Sequence, residues 1–399
     1  MLIGIVGRPN VGKSTFFKAA TLADVLIANY PFATIKPNSG MAYVKIEDLA
    51  PEFGKVSNPR EGFVKDDLSS GKKGKWRFVP FELMDVAGLV EGASQGKGLG
   101  NEFLNDLAGA DAFIHVVDMS GETNGEGKPV DDYYPGNDIK IIERELDLWY
   151  LGILNKAWAG FARTVEMQKK KFSEAIVKQF SGLKVDENDV KSVILKSGLN
   201  TEKPTSWSSQ DLSNFSNILR KITKPMIIAA NKMDRPKSKE NFMKLKDEFD
   251  YEMIPCFADA ELALREADKS GIIEYIPGEG SFKEVKILNE KQKQALKKMD
   301  EFIKEYGSTG VQKVLNSVVF DILKCIAIFP AGAKMADSKG NVLPDCYLMK
   351  EGSTALDFAF RLHSDIGNNF VKAIHIRNKQ AVGKDYVLKH RDGLEIMTK

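Results

Sequence analysis

Cysteine is scarce, with Cys256, Cys325 and Cys346 the three examples in 399 residues. Their odd number and wide spacing exclude a disulfide framework and a Cys-X-X-Cys metal site, and they predict a reducing compartment. Histidine is nearly as rare, with four residues. No second histidine lies at ligand spacing from His363, His375 or His390, so each is expected in packing or at the surface. A charge of one sign is also lacking. Lys and Arg number 57 against 55 Asp and Glu, a net charge of +2, so any basic surface must be local. Long apolar runs are missing too. The most apolar late stretch, 314–329, is interrupted by Asp321 and Lys324 and is too short to span a bilayer. The apolar start, 1–6, has no basic region before it and reads as a strand rather than a secretion signal. These absences together predict a cytoplasmic chain with no membrane partner. What is present is ordinary for globular proteins, 43% hydrophobic and 28% charged, and the length suggests two or three domains.

The most informative stretch follows that first strand. Gly7-Arg8-Pro9-Asn10-Val11-Gly12-Lys13-Ser14-Thr15 leads into a helix-compatible segment, 16–23, which is G-x-x-x-x-G-K-S in strand–loop–helix context. In such a loop the backbone N–H groups converge on phosphate oxygens and the helix dipole adds to them. Lys13 reaches the β and γ phosphates and Ser14 binds magnesium. A second strand pattern, 78–84, ends in Asp85-Val86-Ala87-Gly88. Asp85 at a strand end can hold magnesium through water, and Gly88 offers an N–H to the γ-phosphate. Glycines 92, 96, 98 and 100 follow and predict a segment that orders around that phosphate. Between the two motifs, Asn29-Tyr30-Pro31-Phe32-Ala33-Thr34 supplies a hydroxyl for the magnesium shell. Thr34 is preferred over Thr21, which the helix after the loop is expected to take.

Base identity is read further on. The apolar run 225–230 ends in Asn231-Lys232-Met233-Asp234. A carboxylate at Asp234 accepts from the N1–H and exocyclic amine of guanine, a donor pair that adenine does not present, so GTP and GDP are the expected ligands. Asn231 braces the neighbouring loops and the Lys232 stem covers the base. After another strand pattern, 253–257, Ala258 is expected near the guanine oxygen, although Phe257-Ala258 stands where Ser-Ala is usual.

With these residues assembled, the chain resembles the Obg-like GTPases, in the archaeal form of the YchF-type branch. The resemblance rests on GRPNVGKST, NYPFATIKPN, DVAGLVEGASQGKGLGNEFL, NKMD and LPDCYLMKEGSTALDFAFRLHSDIG, and so spans nearly the whole chain. It implies translation-associated GTPases or, where the guanine motif has changed, ATPases; Asp234 is retained here. Leu89 stands where Ras-like enzymes carry a water-orienting glutamine, so hydrolysis requires another device. In similar GTPases potassium, held partly by the P-loop asparagine, fills that role, which points to Asn10.

The remainder is less specific. Ile142, Leu146, Trp149 and Ile153 recur at helical spacing, as do Phe161, Val165, Phe172 and Ile176. They predict a helical hairpin or small coiled coil, with 170–210 less regular. Lys169-Lys170-Lys171 reads as a solvated helix face, and 71–77, GKKGKWR, as a solvated hairpin tip. The resemblance identifies the strand-rich tail as a TGS domain, a ubiquitin-like β-grasp. From Lys372 onward it carries seven Lys and Arg against Asp385, Asp392 and Glu395, a local charge suited to RNA.

The expected fold is therefore α/β: a P-loop GTPase domain over 1–137 and 222–288, a helical insertion over 138–221, connecting helices over 289–323 and a TGS domain over 324–399. The expected function is magnesium-dependent GTP hydrolysis to GDP and phosphate by a switch that docks on ribosomes or other RNA through the insertion and the TGS domain. A scaffold with negligible turnover and an ATPase are the alternatives.

Overall fold

The computed structural model describes residues 1–21, 39–86, 92, 107–156, 158–332 and 334–399. The first half runs β1 (Leu2–Val6), α1 (Lys13–Thr21), β2 (Ser39–Glu47), β3 (Phe63–Lys65), β4 (Trp76–Asp85) and β5 (Ala112–Asp118). Five helices follow, α2 (Gly136–Asn155), α3 (Trp158–Gln168), α4 (Phe172–Gln179), α5 (Glu187–Ser197) and α6 (Ser209–Thr223). Then come β6 (Met226–Asn231), α7 (Ser238–Glu248), β7 (Met253–Pro255), α8 (Ala258–Lys269), β8 (Ile273–Tyr275), β9 (Phe282–Glu284), α9 (Glu290–Tyr306) and α10 (Val311–Ser317). The chain closes with β10 (Cys325–Pro330), β11 (Tyr347–Lys350), α11 (Ala355–Leu362), β12 (Phe370–His375), β13 (Ala381–Val382) and β14 (Gly393–Thr398).

The chain divides into two compact units, 1–40, 82–262 and 309–314 against 41–81, 263–308 and 315–399. In the first unit the strands run parallel in the order β4-β1-β5-β6-β7. β5 and β6 are buried at every residue, the condition in which a strand reads as a continuous apolar run rather than an alternating one. Val6, Met84, Phe113, Ile142, Leu146 and Met226 share one core, so α2 is anchored on the sheet by its apolar stripe.

Beyond that anchor the helices pack on one another around Tyr150, Leu154, Phe172, Ile176, Phe180, Trp207, Phe215 and Leu219. They form five helices of 8 to 20 residues rather than a hairpin, and the 170–210 stretch is largely helical. Asp186 and Ser208 each start a helix with a reciprocal capping box, satisfying N–H groups that have no partner within the helix. Arg220 on α6 is buried and donates through Nε to Asp147 on α2 at 2.7 Å, fixing the return of the chain. The three consecutive lysines do not lie on a helix face. They form the turn between α3 and α4, with Lys169 left-handed at φ 47°.

In the second unit the early part of β4 forms an antiparallel hairpin with β3, where Phe63 stacks on Phe78 with centroids 4.4 Å apart. Arg77, expected at a solvated tip, is 1% exposed. Its guanidinium donates to the carbonyls of Leu343 at 2.8 Å and Pro344 at 3.0 Å, with Asp48 3.6 Å away. The C-terminal sheet has the order β11-β10-β14-β12-β13, with β10 and β14 parallel and the other characterised pairs antiparallel. α11 packs Phe358 against Ile326, Ile328, Leu388 and Leu394. Two of the tail's cations are already engaged: Glu52 holds Arg377 at 2.7 Å and Arg391 at 2.5 Å.

Candidate nucleotide-binding site

Four strands of the first unit end in loops that meet one another. β1 gives way to the glycine loop, β4 ends on Asp85, β5 on Asp118 and β6 on Asn231. In a parallel sheet the carboxyl ends of the strands are where crossover loops open and ligands bind.

The loop after β1 depends on glycine at two points. A Cβ on Gly7 would lie 2.5 Å from the Val116 carbonyl oxygen, and one on Gly12 would lie 2.3 Å from Asn231 Nδ2. Both residues also have positive φ, 147° and 96°. Val11 is buried and Ser14 stands exposed on the first turn of α1 with Thr15 beside it. Lys13 Nζ donates to the Arg8 carbonyl at 2.7 Å, curled back over its own loop. Burial lowers the Lys13 pKa, with Asp85 opposing the shift. The Ser14 hydroxyl donates to Asp85 Oδ2 at 3.1 Å. Burial raises the Asp85 pKa, while Ser14 and Lys13 act against it. A hydroxyl from the first turn of α1 and a carboxylate from the end of β4 thus face each other as hard oxygen donors, a set that suits magnesium. Thr21, the threonine set aside, does complete α1, its hydroxyl donating to Phe17 O at 2.8 Å. Thr34, Gly88 and Leu89 lie outside the described residues.

The Asn231–Asp234 tetrad is tied to this loop by one side-chain amide, that of Asn231. Asn231 Nδ2 donates to Val11 O at 2.9 Å and Asn231 Oδ1 accepts from the Ala258 N–H at 3.1 Å. One buried amide therefore joins the phosphate loop, the tetrad and the start of α8. The Ala258 N–H is engaged by Asn231, so any contact it makes with a base shares that bond. Met233 is buried, its N–H donating to Cys256 O at 3.2 Å. The Asp234 carboxylate is 8% exposed and has Arg235 Nε 3.8 Å away.

Several contributors were invisible as motifs. Asp118 accepts from Lys232 Nζ at 2.7 Å, and the same ammonium donates to Asn10 O at 3.0 Å. Lys232 thus spans from the tetrad to the phosphate loop. Arg8 is buried, donates to Tyr133 Oη at 3.1 Å and lies 3.3 Å from Asp138 at the start of α2. Asn10 Nδ2 donates to Gly127 O at 3.0 Å, so the 119–135 loop is held against the phosphate loop. His115 on β5 is fully buried with no hydrogen-bond partner for either ring nitrogen among the described residues, and burial pushes its pKa down to about 3. The apolar neighbourhood of Asp118 at a strand end was legible, but its pairing with Lys232 arises only from the tertiary arrangement.

Comparison with known proteins agrees with this geometry. The description "50S ribosome-binding GTPase" matches residues 2–156, "Obg-like GTPase YGR210-like, G4 motif-containing domain" matches 229–332, and "TGS domain" matches 329–398. A GTP-binding protein of Methanocaldococcus jannaschii is 44% identical, covering 100% of this chain and 99% of its own length. The ribosome-binding ATPase YchF of Buchnera aphidicola is 30% identical over 93% of this chain and 86% of its own. The crystal structure of a GTP-binding protein from Pyrococcus horikoshii OT3 matches with a TM-score of 0.79 and 40% identity, covering all of both chains. The Schizosaccharomyces pombe YchF GTPase, at 22% identity and a TM-score of 0.59 over 100% of this chain and 97% of its own, shares the fold. The phosphate loop, the guanine-type tetrad and the β-grasp tail sit in one chain that matches these relatives end to end, and the chain belongs to the YchF-type branch of the Obg-like GTPases.

Proposed function

We propose that this protein binds GTP in preference to ATP, hydrolyses it to GDP and phosphate with magnesium, and uses the cycle as a cytoplasmic switch on ribosomes or other RNA. The observation that carries the reading is the pair of hydrogen bonds made by the Asn231 amide, which links the tetrad containing Asp234 to the phosphate loop at Val11 and to the start of α8 at Ala258. That link supports a site organised for a guanine nucleotide before one arrives, so little ordering remains to be done on binding.

Ser14 and Asp85 would hold magnesium, with Thr34 completing the set when triphosphate is bound. Magnesium at that position offsets charge on the β and γ phosphates. Lys13 would leave the Arg8 carbonyl for the phosphates, and the loop N–H groups would orient them. Gly88 would offer its N–H to the γ-phosphate. Leu89 has no group to orient water, so turnover without a partner is expected to be slow. Asn10, whose amide nitrogen is committed to Gly127, retains its side-chain oxygen as the candidate potassium ligand. Equal hydrolysis rates in potassium and sodium would confine Asn10 to that structural role. The domain division over 1–137 with 222–288, 138–221, 289–323 and 324–399 is kept as the working assignment, with the insertion and the tail as docking parts.

The relatives named ribosome-binding ATPases make base preference the first test. Titration of labelled GTP against competing ATP, GDP and XTP should show guanine preference of at least tenfold; equal competition by ATP would overturn that part. Co-sedimentation with ribosomes in the presence of a non-hydrolysable GTP analogue, GDP or no nucleotide tests the switch. Pelleting that depends on the analogue supports it, and absence of pelleting in every state removes the ribosome from the proposal.

A further inference from the structure

At the far end of the helical insertion, α3, α4 and the turn between them enclose an open groove of about 1010 Å³. Trp158 and Phe161 line its floor, their rings 5.4 Å apart and partly exposed, with Trp158 backed on its core side by Trp207 at 5.1 Å. Apart from the rings the floor is small: Ala159, Gly160, Val165 and Ala175. A Cβ on Gly160 would meet nothing within 4 Å, so the space above it is open. Lys156, Lys169, Lys170 and Lys178 stand exposed around the rim, and none makes an ion pair among the described residues. The fifth rim lysine, Lys171, is paired with Glu174, the sole acid of the lining, and with Glu187.

Four uncompensated lysines gathered around a concave surface repel one another, an arrangement that a polyanion relieves. A solvated helix face spreads its cations; here the left-handed turn at Lys169 gathers them instead. We propose that this groove binds single-stranded RNA, with the rim lysines on backbone phosphates and one or two bases on the aromatic floor. Every base has a π-face, so the floor implies little sequence preference. An acidic peptide would meet the same charge. An amphipathic peptide helix, however, anchors through large aliphatic side chains, and a floor of two rings and small residues accepts a flat ring better. The inference rests on the proposed RNA-docking role of the insertion and names the ligand and the residues that take it.

The test uses the full chain and a fluorescein-labelled 12-mer of uridylate, read by anisotropy across a salt series. Two variants leave the insertion core untouched: the triple K169A/K170A/K178A, and Thr164→Glu, which places a carboxylate in the groove at an exposed lining position. Both should weaken binding at least tenfold. The triple variant should also flatten the slope of log affinity against log salt by about two, at roughly 0.7 per phosphate contact. GTP turnover should be unchanged in both, which verifies folding. Absence of binding by the parent chain, retention of full affinity by both variants, or displacement of the RNA by oligoglutamate of equal charge at equal concentration would each overturn the proposal. If the variants lose the oligonucleotide yet still pellet with ribosomes, the groove binds RNA and another surface docks the ribosome. If the parent pellets but never binds the 12-mer, the groove proposal fails and the docking role stands.

Discussion

Two groups of lysines in the first unit are held in opposite ways. Lys13, Lys232 and Lys224 lie at or under the sheet, and each finishes on oxygen atoms supplied by its own chain: Arg8 O, Asn10 O with Asp118, and the carbonyls of Ala108 and Ala110. Of the lysines rimming the groove of the insertion, Lys156, Lys169, Lys170 and Lys178 stand exposed with no ion pair among the described residues. A lysine satisfied internally marks a place the protein has finished building, where a ligand must exchange one partner for another. A cluster left unsatisfied on a concave surface marks a place that something else completes.

That contrast can be broken at the held lysines. The largest expected effect is at Lys13, where Lys13→Ala should lower single-turnover GTP hydrolysis by about 10²–10³-fold, the scale of removing one charge-stabilising donor. Its thermal midpoint should barely move, because the Arg8 carbonyl it releases can turn to water. An equal loss of stability and activity would make Lys13 a structural lysine like Lys224. Asp234→Asn comes next. Exchanging the acceptor for an amide should cost about 2 kcal/mol of GTP affinity, roughly thirtyfold, and should move preference towards xanthine, whose C2 carbonyl accepts from the new amide N–H where guanine carries a donor amine. Competition titration reads both changes.

Lys224→Met sharpens the other side of the comparison. Lys224 is 1% exposed, and burial brings its pKa down to about 8. The substitution leaves the Ala108 and Ala110 carbonyls without their donor, so denaturant unfolding should report a loss of about 1–3 kcal/mol with GTP affinity preserved. The last effect concerns pH and is small near neutrality. His115 has a folded pKa near 3 against an ordinary 6.5, so the unfolded chain takes its proton first and stability falls as pH drops below about 6.5. The slope from this residue approaches 1.4 kcal/mol per pH unit and closes near pH 3. His115→Phe should flatten the profile by that amount; an unchanged profile would mean that the site relaxes to hydrate the ring.

The sequence made the phosphate loop legible because its chemistry is local: nine consecutive residues, 7–15, carry the turn, the cation and the hydroxyl. The tetrad was legible for the same reason. What escaped was non-local. Arg8 reads as a solvent-facing loop residue until Tyr133 and Asp138 close over it, and Arg77 reads as a hairpin tip until the 343–344 backbone covers it. The helical period of the insertion was visible from Ile142 onward, yet its breaks after Asn155 and at 169–171 are announced by neither proline nor glycine. Lysines permit a turn without announcing one, so the five helices and the groove between two of them could not be counted in advance.

The contact between Gly12 and the Asn231 amide has an evolutionary consequence. Any side chain at 12 and the carboxamide at 231 compete for one volume, so neither position can drift without the other. Asp234 lies outside that bargain. Under the proposed reading, a single substitution at Asp234 would change which base is taken while Gly12 and Asn231 keep the grip on phosphate as it was.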